Sequence, residues 1–250
     1  MHSSPEQLTR LKSRDFYSRI RASAPSLQLW EVVAAAIFCR MATRSKIRVD
    51  RLQRSQFDEA VELLSKAFHD DPYQTYIEPD PARRMYSLRE SFRCRVRHCL
   101  AVGEPYGTGE TLSGAALWMP PGVPQLTKEQ EQEFGFDRLP EILGETWARE
   151  APLRERLIAE YERHMSGPHW YLPILGVDPA RQGEGIGSAL LEPVLSAADS
   201  DRLPCYLDTF QPRNVPFYQR HGFRVLVEDV EPVSGLRYWI FRREPKRASA

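Results

Sequence analysis

The sequence predicts an α/β domain with a central, twisted mixed sheet of six to seven strands and helices on both faces. Two observations support this. The chain has 250 residues, of which 42% are hydrophobic and 27% are charged, which is typical of a globular protein. Its last third alternates strand and helix patterns and then ends in a hairpin pattern. Helical connections favour parallel pairing and a hairpin adds antiparallel strands, so the sheet is expected to be mixed.

Patterns in the first half predict a strand followed by two helices and another strand. Apolar residues alternate over 47–52, which predicts a strand, and they recur at helical spacing over 57–68. A loop is expected over 69–81, and a helix is expected over 83–102. The strand predicted over 112–119 is stopped by the prolines that follow it.

A helical insertion is expected over 126–165. This segment is rich in charge and carries apolar residues at helical intervals. Pro140 and Pro152 are expected to break it into two or three helices, because proline removes a helical hydrogen bond.

The last third provides the clearest pattern of elements. The predicted strands are 170–177, 205–208, 223–227 and 236–241, and the predicted helices are 185–198 and 216–221.

Residues 1–45 differ in composition from the rest of the chain. Six basic residues and three acidic ones lie among several serines over 1–40. We expect a poorly ordered N-terminal extension, with a targeting peptide or an alternative start at Met41 as the other interpretations. The folded domain is expected over 46–245.

Charge, cysteine pattern and hydropathy exclude several classes of function. The 34 basic residues balance the 34 acidic ones, so neither nucleic acid nor an anionic membrane is the expected partner, and a small molecule is. The four cysteines show no metal-binding spacing, which predicts reduced thiols, no metal site and a cytoplasmic location. The longest apolar run, 32–39, is too short to cross a bilayer.

A glycine-rich loop follows the strand predicted over 170–177. Gly183, Gly185 and Gly187 alternate just before or within the start of a predicted helix. Backbone N–H groups at such a junction surround anions, and the positive end of the helix dipole adds to the attraction, so a phosphorylated ligand is expected. Two nucleotide motifs are excluded, because Ser188 stands where the P-loop has lysine and the dinucleotide fingerprint has glycine.

Two motifs carry a resemblance to a known family. Gln182, Gly185 and Gly187, preceded by Val-Asp-Pro, resemble the acetyl-CoA pyrophosphate loop of the GNAT superfamily of N-acetyltransferases. The run 208–223, which includes an Asn, a Tyr and a final Gly-Phe, is similar to the second cofactor motif of that superfamily. Within it, the C-terminal third looks most like the puromycin N-acetyltransferase group.

The resemblance implies a GNAT-like acyl-CoA N-acyltransferase fold with acetyl-CoA bound between the strands 170–177 and 205–208. Main-chain groups of three strand residues would pair with the pantetheine arm, and seven loop N–H groups would hold the pyrophosphate. Asn214 would bind the pantetheine amide or, alternatively, cap the following helix. The implied contacts are therefore those of Leu175, Gly176, Val177, Gln182, Gly183, Glu184, Gly185, Ile186, Gly187, Ser188 and Asn214, with the Glu184 side chain pointing to solvent.

The resemblance also implies catalytic roles for Tyr218 and Asp208. Tyr218 would protonate the leaving thiolate, unless it is only a core aromatic residue. Asp208 would take the amine proton directly or through water. Two further groups are either acceptor-side residues or ordinary surface and core residues: His69, Asp70, Asp71 and Glu78, and the aromatic residues Tyr73, Trp118 and Trp170.

The predicted function is direct transfer of the acetyl group of acetyl-CoA to a primary amine of a small molecule. Two alternatives remain at this point: acetylation of a peptide or protein amine, and a non-catalytic acyl-CoA-binding module. The sequence does not determine the oligomeric state.

Overall fold

The computed structural model describes residues 47–123 and 126–246. These described residues belong to one compact unit. The extension predicted over 1–45 lies outside the described residues.

Seven strands form one mixed sheet in the order β1-β2-β3-β4-β5-β7-β6. The pair β4 and β5 is parallel, and the other neighbouring pairs are antiparallel. The predicted mixed sheet is therefore confirmed. The strands are β1 Val49–Arg51, β2 Glu104–Thr108, β3 Gly114–Met119, β4 Trp170–Val177, β5 Cys205–Thr209, β6 Arg224–Val230 and β7 Arg237–Arg243.

Helices cover both faces of the sheet, as predicted. None of those in the described part of the chain is long and apolar enough to span a membrane. They are α1 Phe57–Phe68, α2 Pro72–Ile77, α3 Pro81–Val102, α4 Lys128–Phe134, α5 Leu139–Leu143, α6 Glu145–His164, α7 Ile186–Asp201 and α8 Val215–Arg220.

Alternate residues of β3 enter two separate cores. Ala115 and Leu117 pack with α1 and α3 on one face, whereas Ala116 and Trp118 pack with α7 and α8 on the other. Successive side chains of a strand point to opposite faces of the sheet. A strand can therefore pack in a core on each face only if the side chains on both faces are apolar. The central strand is therefore buried on both faces.

Three details of the element prediction are wrong. The loop expected over 69–81 contains α2, which is too short to show helical periodicity. The strand β2 was not predicted, because Pro105 and Gly107 weaken a strand pattern that antiparallel pairing on both edges stabilises. Pro152 does not break the insertion, since α6 runs through it. The next residue, Leu153, is fully buried in a core that includes residues of β5 and β7, and this packing offsets the helical hydrogen bond that proline removes.

Candidate active site

Two glycines with positive φ shape the loop between β4 and α7. Gly183 has φ +85° and Gly185 has φ +91°, a conformation that glycine adopts without a steric penalty. Asp178 fixes the start of the loop, since its carboxylate accepts the N–H of Ala180 at 2.9 Å. These contacts turn the chain sharply from the end of β4 into α7.

The first turn of α7 has no side-chain cap. Gly185 is its N-cap residue, and the N–H of Ala189 donates to the Gly185 carbonyl at 3.0 Å. The N–H groups of Ile186, Gly187 and Ser188 lie before this first intrahelical hydrogen bond, so they are available to a ligand. With the helix dipole they form a site that fits a phosphate or pyrophosphate.

The acidic residue in this loop is paired. The carboxylate of Glu184 accepts hydrogen bonds from Nε and Nη2 of Arg181 at 3.1 and 2.9 Å, and its side chain is half exposed. Arg181 also donates to the Ser113 hydroxyl. The ion pair balances the negative charge that the sequence places beside the expected pyrophosphate.

Two other glycines are required by packing. A Cβ atom on Gly176 would lie 2.6 Å from Leu64 Cδ2, and one on Gly187 would lie 3.2 Å from the Phe217 ring. Both distances are tighter than ordinary contacts, so these glycines let α1 and α8 approach the strand and loop that carry the site. The structure thus gives them a packing reason in addition to the predicted cofactor contact.

The parallel strands β4 and β5 separate into a V. They pair only at Trp170 with Cys205 and at Tyr171 with Tyr206, although both strands continue beyond these residues. The register between β3 and β4 also shifts at this level, so β4 bends away. The backbone groups of residues 175–177 pair with β3 along one edge of β4. Along the other edge of β4, no described strand pairs with these residues.

Asp208 lies two residues beyond Tyr206, the last residue of β5 that pairs with β4, where the two strands have separated. Its Oδ1 accepts the Tyr171 hydroxyl at 2.9 Å, which joins the two arms of the V. Burial raises the pKa of this carboxyl to about 6, the charge of Asp71 acts in the same direction, and the bond from Tyr171 acts against them. A carboxyl with this pKa can exchange a proton near neutral pH.

Tyr218 is packed as a core aromatic residue, which is one of its two predicted interpretations. Its ring is 6% exposed and packs against Phe217, Phe223 and Phe241 with centroids 5.1, 5.8 and 5.6 Å away. No hydrogen-bond partner for its hydroxyl occurs among residues 47–123 and 126–246. Burial raises the pKa of this hydroxyl above its ordinary value, and the charges of Asp208 and Asp71 act in the same direction, so the hydroxyl stays protonated at neutral pH.

Asn214 does not cap α8. The helix begins at Val215 and has no side-chain cap bond, so the capping interpretation is wrong. Instead, Asn214 Nδ2 donates to Thr209 Oγ1 at 3.2 Å. This bond ties the start of α8 to the last residue of β5 and holds Asn214 at the V.

The remaining candidates divide into core residues and structural residues. Trp118 and Trp170 are core side chains in edge-to-face contact at 6.5 Å. Glu78 is also buried rather than solvated, and it accepts the Thr146 hydroxyl at 2.6 Å. Tyr73 packs on Phe210, with ring centroids 4.9 Å apart, and donates its hydroxyl to Glu150 at 2.8 Å.

Sequence analysis missed Tyr171 and Glu150. Both act through contacts between residues far apart in the chain, and neither lies in a motif. The start of α2 did have a local signal, because Asp71-Pro72 is a common N-cap and first-turn pair.

Comparison with known proteins agrees with this geometry. Residues 147–225 match the family model described as an acetyltransferase (GNAT) domain. This segment is similar to GNAT acetyltransferase domains. The match includes β4, the glycine loop, α7 and β5, and it places the protein among the acyltransferases.

Three similar proteins extend the comparison beyond this GNAT domain. An uncharacterized N-acetyltransferase of Schizosaccharomyces pombe is 28% identical over 192 residues, which is 69% of this chain and 72% of that protein. A mycothiol acetyltransferase of Kineococcus radiotolerans is 35% identical over 44% of this chain and 39% of its own length. A solved Corynebacterium glutamicum structure, described as histone acetyltransferase HPA2 and related acetyltransferase, covers 82% of this chain and 99% of its own, at TM-score 0.61 and 23% identity. That similarity shows a shared fold.

Proposed function

We propose that this N-acetyltransferase transfers the acetyl group of acetyl-CoA directly to a primary amine of a small molecule. The proposal depends chiefly on the open V between β4 and β5. Asp208 lies at this V, and the hydroxyl of Tyr218 has no hydrogen-bond partner among the residues that the structure describes. Acetyl-CoA, when bound, supplies the acetyl group already activated as a thioester.

The cofactor contacts follow the two arms of the V. The uncapped first turn of α7 and the glycine loop present N–H groups that fit the pyrophosphate, from Gln182 to Ser188. The open edge of Leu175, Gly176 and Val177 fits the pantetheine arm, and Asn214 reaches it from the other side.

Asp208 and Tyr218 handle the protons. The bond from Tyr171 occupies Oδ1 of Asp208, and no residue in the described part of the chain donates to Oδ2, which would accept a proton from the amine. This carboxylate is ionised above its pKa of about 6. Tyr218 keeps its proton at neutral pH and can donate it to the leaving sulfur, a step that general acids accelerate by about 10²- to 10⁴-fold.

The cover over the acceptor side favours a small acceptor over a protein. Helix α6 is anchored to α2 through Tyr73 and Glu150 and buries Leu153 in an aromatic-rich core beside the end of β5. A side chain of a protein substrate needs an open groove to reach the site. The packing of α6 against α2 and beside the end of β5 leaves less room for such a groove. The names of the relatives do not separate the two classes, since one is a mycothiol acetyltransferase and another is described as a histone acetyltransferase.

Two finer assignments belong to the same proposal. We place the chain near the puromycin N-acetyltransferase group, supported by Pro193 inside α7 and by the 3₁₀ turn Pro212–Asn214 before α8. We also propose that it acts in the cytoplasm, because Cys94, Cys99 and Cys205 are buried free thiols, as is typical of reducing compartments.

A thiol-release assay tests the proposal. Release of coenzyme A is measured with acetyl-CoA and either a panel of small primary amines or a lysine-containing peptide. We expect turnover with small amines and little with the peptide. Turnover with the peptide alone would favour the protein acetyltransferase, whereas acetyl-CoA binding without any turnover would contradict the enzymatic role.

A further inference from the structure

Tyr171 and Asp208 meet because of the register between β4 and β5. Tyr171 pairs with Tyr206, and their two rings pack with centroids 5.6 Å apart. Side chains two residues apart on a strand point to the same face of the sheet, so Asp208 lies on the same face of β5 as Tyr206. The Tyr171 hydroxyl therefore reaches Asp208 where the two strands separate.

The hydroxyl of Tyr171 is a permanent hydrogen-bond donor. It donates to Oδ1 of Asp208 at 2.9 Å. Burial raises the pKa of this hydroxyl well above its ordinary value, and the charge of Asp208 acts in the same direction, so the hydroxyl stays protonated at neutral pH. The last torsion of an aspartate side chain has a broad energy profile. The hydrogen bond removes this freedom and fixes the direction of Oδ2.

Helix α6 keeps the Tyr171 ring in place. Tyr161 of α6 packs against Tyr171 and Tyr206 with centroids 5.8 and 5.4 Å away, so the three rings contact one another. The Tyr161 hydroxyl and Nε2 of His169 form a hydrogen bond of 2.6 Å, and His169 lies two residues before Tyr171 in the chain. These contacts leave Tyr171 little freedom to turn away from Asp208.

The same hydrogen bond decides which oxygen of Asp208 receives a proton. Oδ1 accepts the Tyr171 hydroxyl, and no residue in the described part of the chain donates to Oδ2. A proton that leaves the acceptor amine would therefore form its O–H bond with Oδ2, while the electron pair of the broken N–H bond stays on nitrogen. The carboxylate becomes a neutral carboxylic acid, and Tyr171 keeps its own proton.

We propose that Tyr171 is a positioning residue, which directs Oδ2 of Asp208 toward the acceptor amine. This inference rests on the proposed function, in which Asp208 takes the amine proton. Tyr171 acts through Asp208 and exchanges no proton itself. Its hydrogen bond also lowers the pKa of Asp208 against the effect of burial, so the carboxylate remains ionised at a lower pH than it would without this donor.

The test removes one hydroxyl and keeps the aromatic ring. Tyr171→Phe loses the hydrogen bond to Asp208 and retains the ring packing. Tyr106→Phe is the matched control, because Tyr106 also donates to a carboxylate at 2.9 Å, that of Glu104 on β2. Coenzyme A release is measured between about pH 5 and pH 8, with acetyl-CoA and the small primary alkylamine that the wild-type enzyme turns over fastest. Such an amine stays cationic over this range, so its own titration does not shape the profile.

We expect the kcat of Tyr171→Phe to fall by about 10- to 100-fold, the value of a hydrogen bond to a charged group. The acidic limb of the kcat profile should move from the Asp208 pKa of about 6 to higher pH, because the carboxyl loses a donor that favours its ionised form. Acetyl-CoA affinity, measured by calorimetry, should stay the same. Tyr106→Phe should match the wild-type enzyme in all three measurements.

A double variant shows whether Tyr171 acts through Asp208. In an Asp208→Asn background, Tyr171→Phe should cost no further activity, because the carboxylate that it positions is absent. A wild-type kcat and pH profile in Tyr171→Phe, or an equal further loss in the Asp208→Asn background, would overturn the inference and leave the proposed function intact. Failure of the wild-type enzyme to acetylate any small primary amine would overturn both.

Discussion

The cofactor side and the acceptor side of this site are built differently. The cofactor side consists mainly of backbone in one continuous run, with contacts two or three residues apart such as Asp178 to Ala180 and Arg181 to Glu184. The acceptor side depends on side chains 77 and 68 residues apart, Tyr73 with Glu150 and Glu78 with Thr146. Local backbone sites leave a sequence motif, whereas sites made of distant side chains do not.

Tyr218→Phe should produce the largest effect, because it removes the proposed proton donor to the leaving sulfur. We expect kcat to fall by about 10²- to 10⁴-fold with acetyl-CoA affinity unchanged. Steady-state kinetics and a calorimetric titration measure the two quantities. Tyr106→Phe is the control, since that hydroxyl donates to Glu104 on β2, outside the V. Equal losses of affinity and rate would make Tyr218 a packing residue.

Gly185→Glu should damage the cofactor side alone. A carboxylate beside the pyrophosphate costs several kcal/mol through like-charge repulsion, so acetyl-CoA affinity should drop by about 100-fold or more. The thermal shift produced by acetyl-CoA should disappear with it. Gly235→Glu controls for backbone strain, because Gly235 also has positive φ and open space around it. If both variants bind acetyl-CoA normally, the loop does not hold it.

Asp208→Asn should stabilise the protein at neutral pH. The pKa of Asp208 is about 6 in the folded state against an ordinary value of 3.8, so the folded state binds the proton more tightly and loses stability as pH rises from about 4 to 6. Removing the charge should add up to about 3 kcal/mol to the free energy of unfolding at pH 7.5 and little near pH 4. Urea unfolding at both pH values measures this difference. A destabilised variant at pH 7.5 would contradict the pKa assignment.

Glu184→Gln should have the smallest effect. It frees Arg181 from a half-exposed ion pair, so acetyl-CoA affinity should rise by about two- to fivefold. Glu228→Gln is the matched control, since Glu228 forms an exposed pair with Arg237 elsewhere. Weaker binding by Glu184→Gln would mean that the pair supports the loop.

The same contrast explains what the sequence could predict. The bounds predicted for β4 match those observed, and the glycine loop was placed at the start of α7, because period-two patterns and glycine conformations are local properties. The prediction failed at α2 and at Pro152, where long-range packing decides. The position of the α2 segment was not predicted, since it depends on Arg84 and on the Tyr73–Phe210 contact.

A structure of the complex with coenzyme A tests most directly the central claim that the two sides meet in the V between β4 and β5. We expect the pyrophosphate to accept N–H groups between Gln182 and Ser188, the pantetheine arm to follow the open edge of β4, and the sulfur to lie within hydrogen-bonding reach of the Tyr218 hydroxyl. Coenzyme A bound outside the V, or a sulfur directed away from Tyr218 and Asp208, would contradict the account.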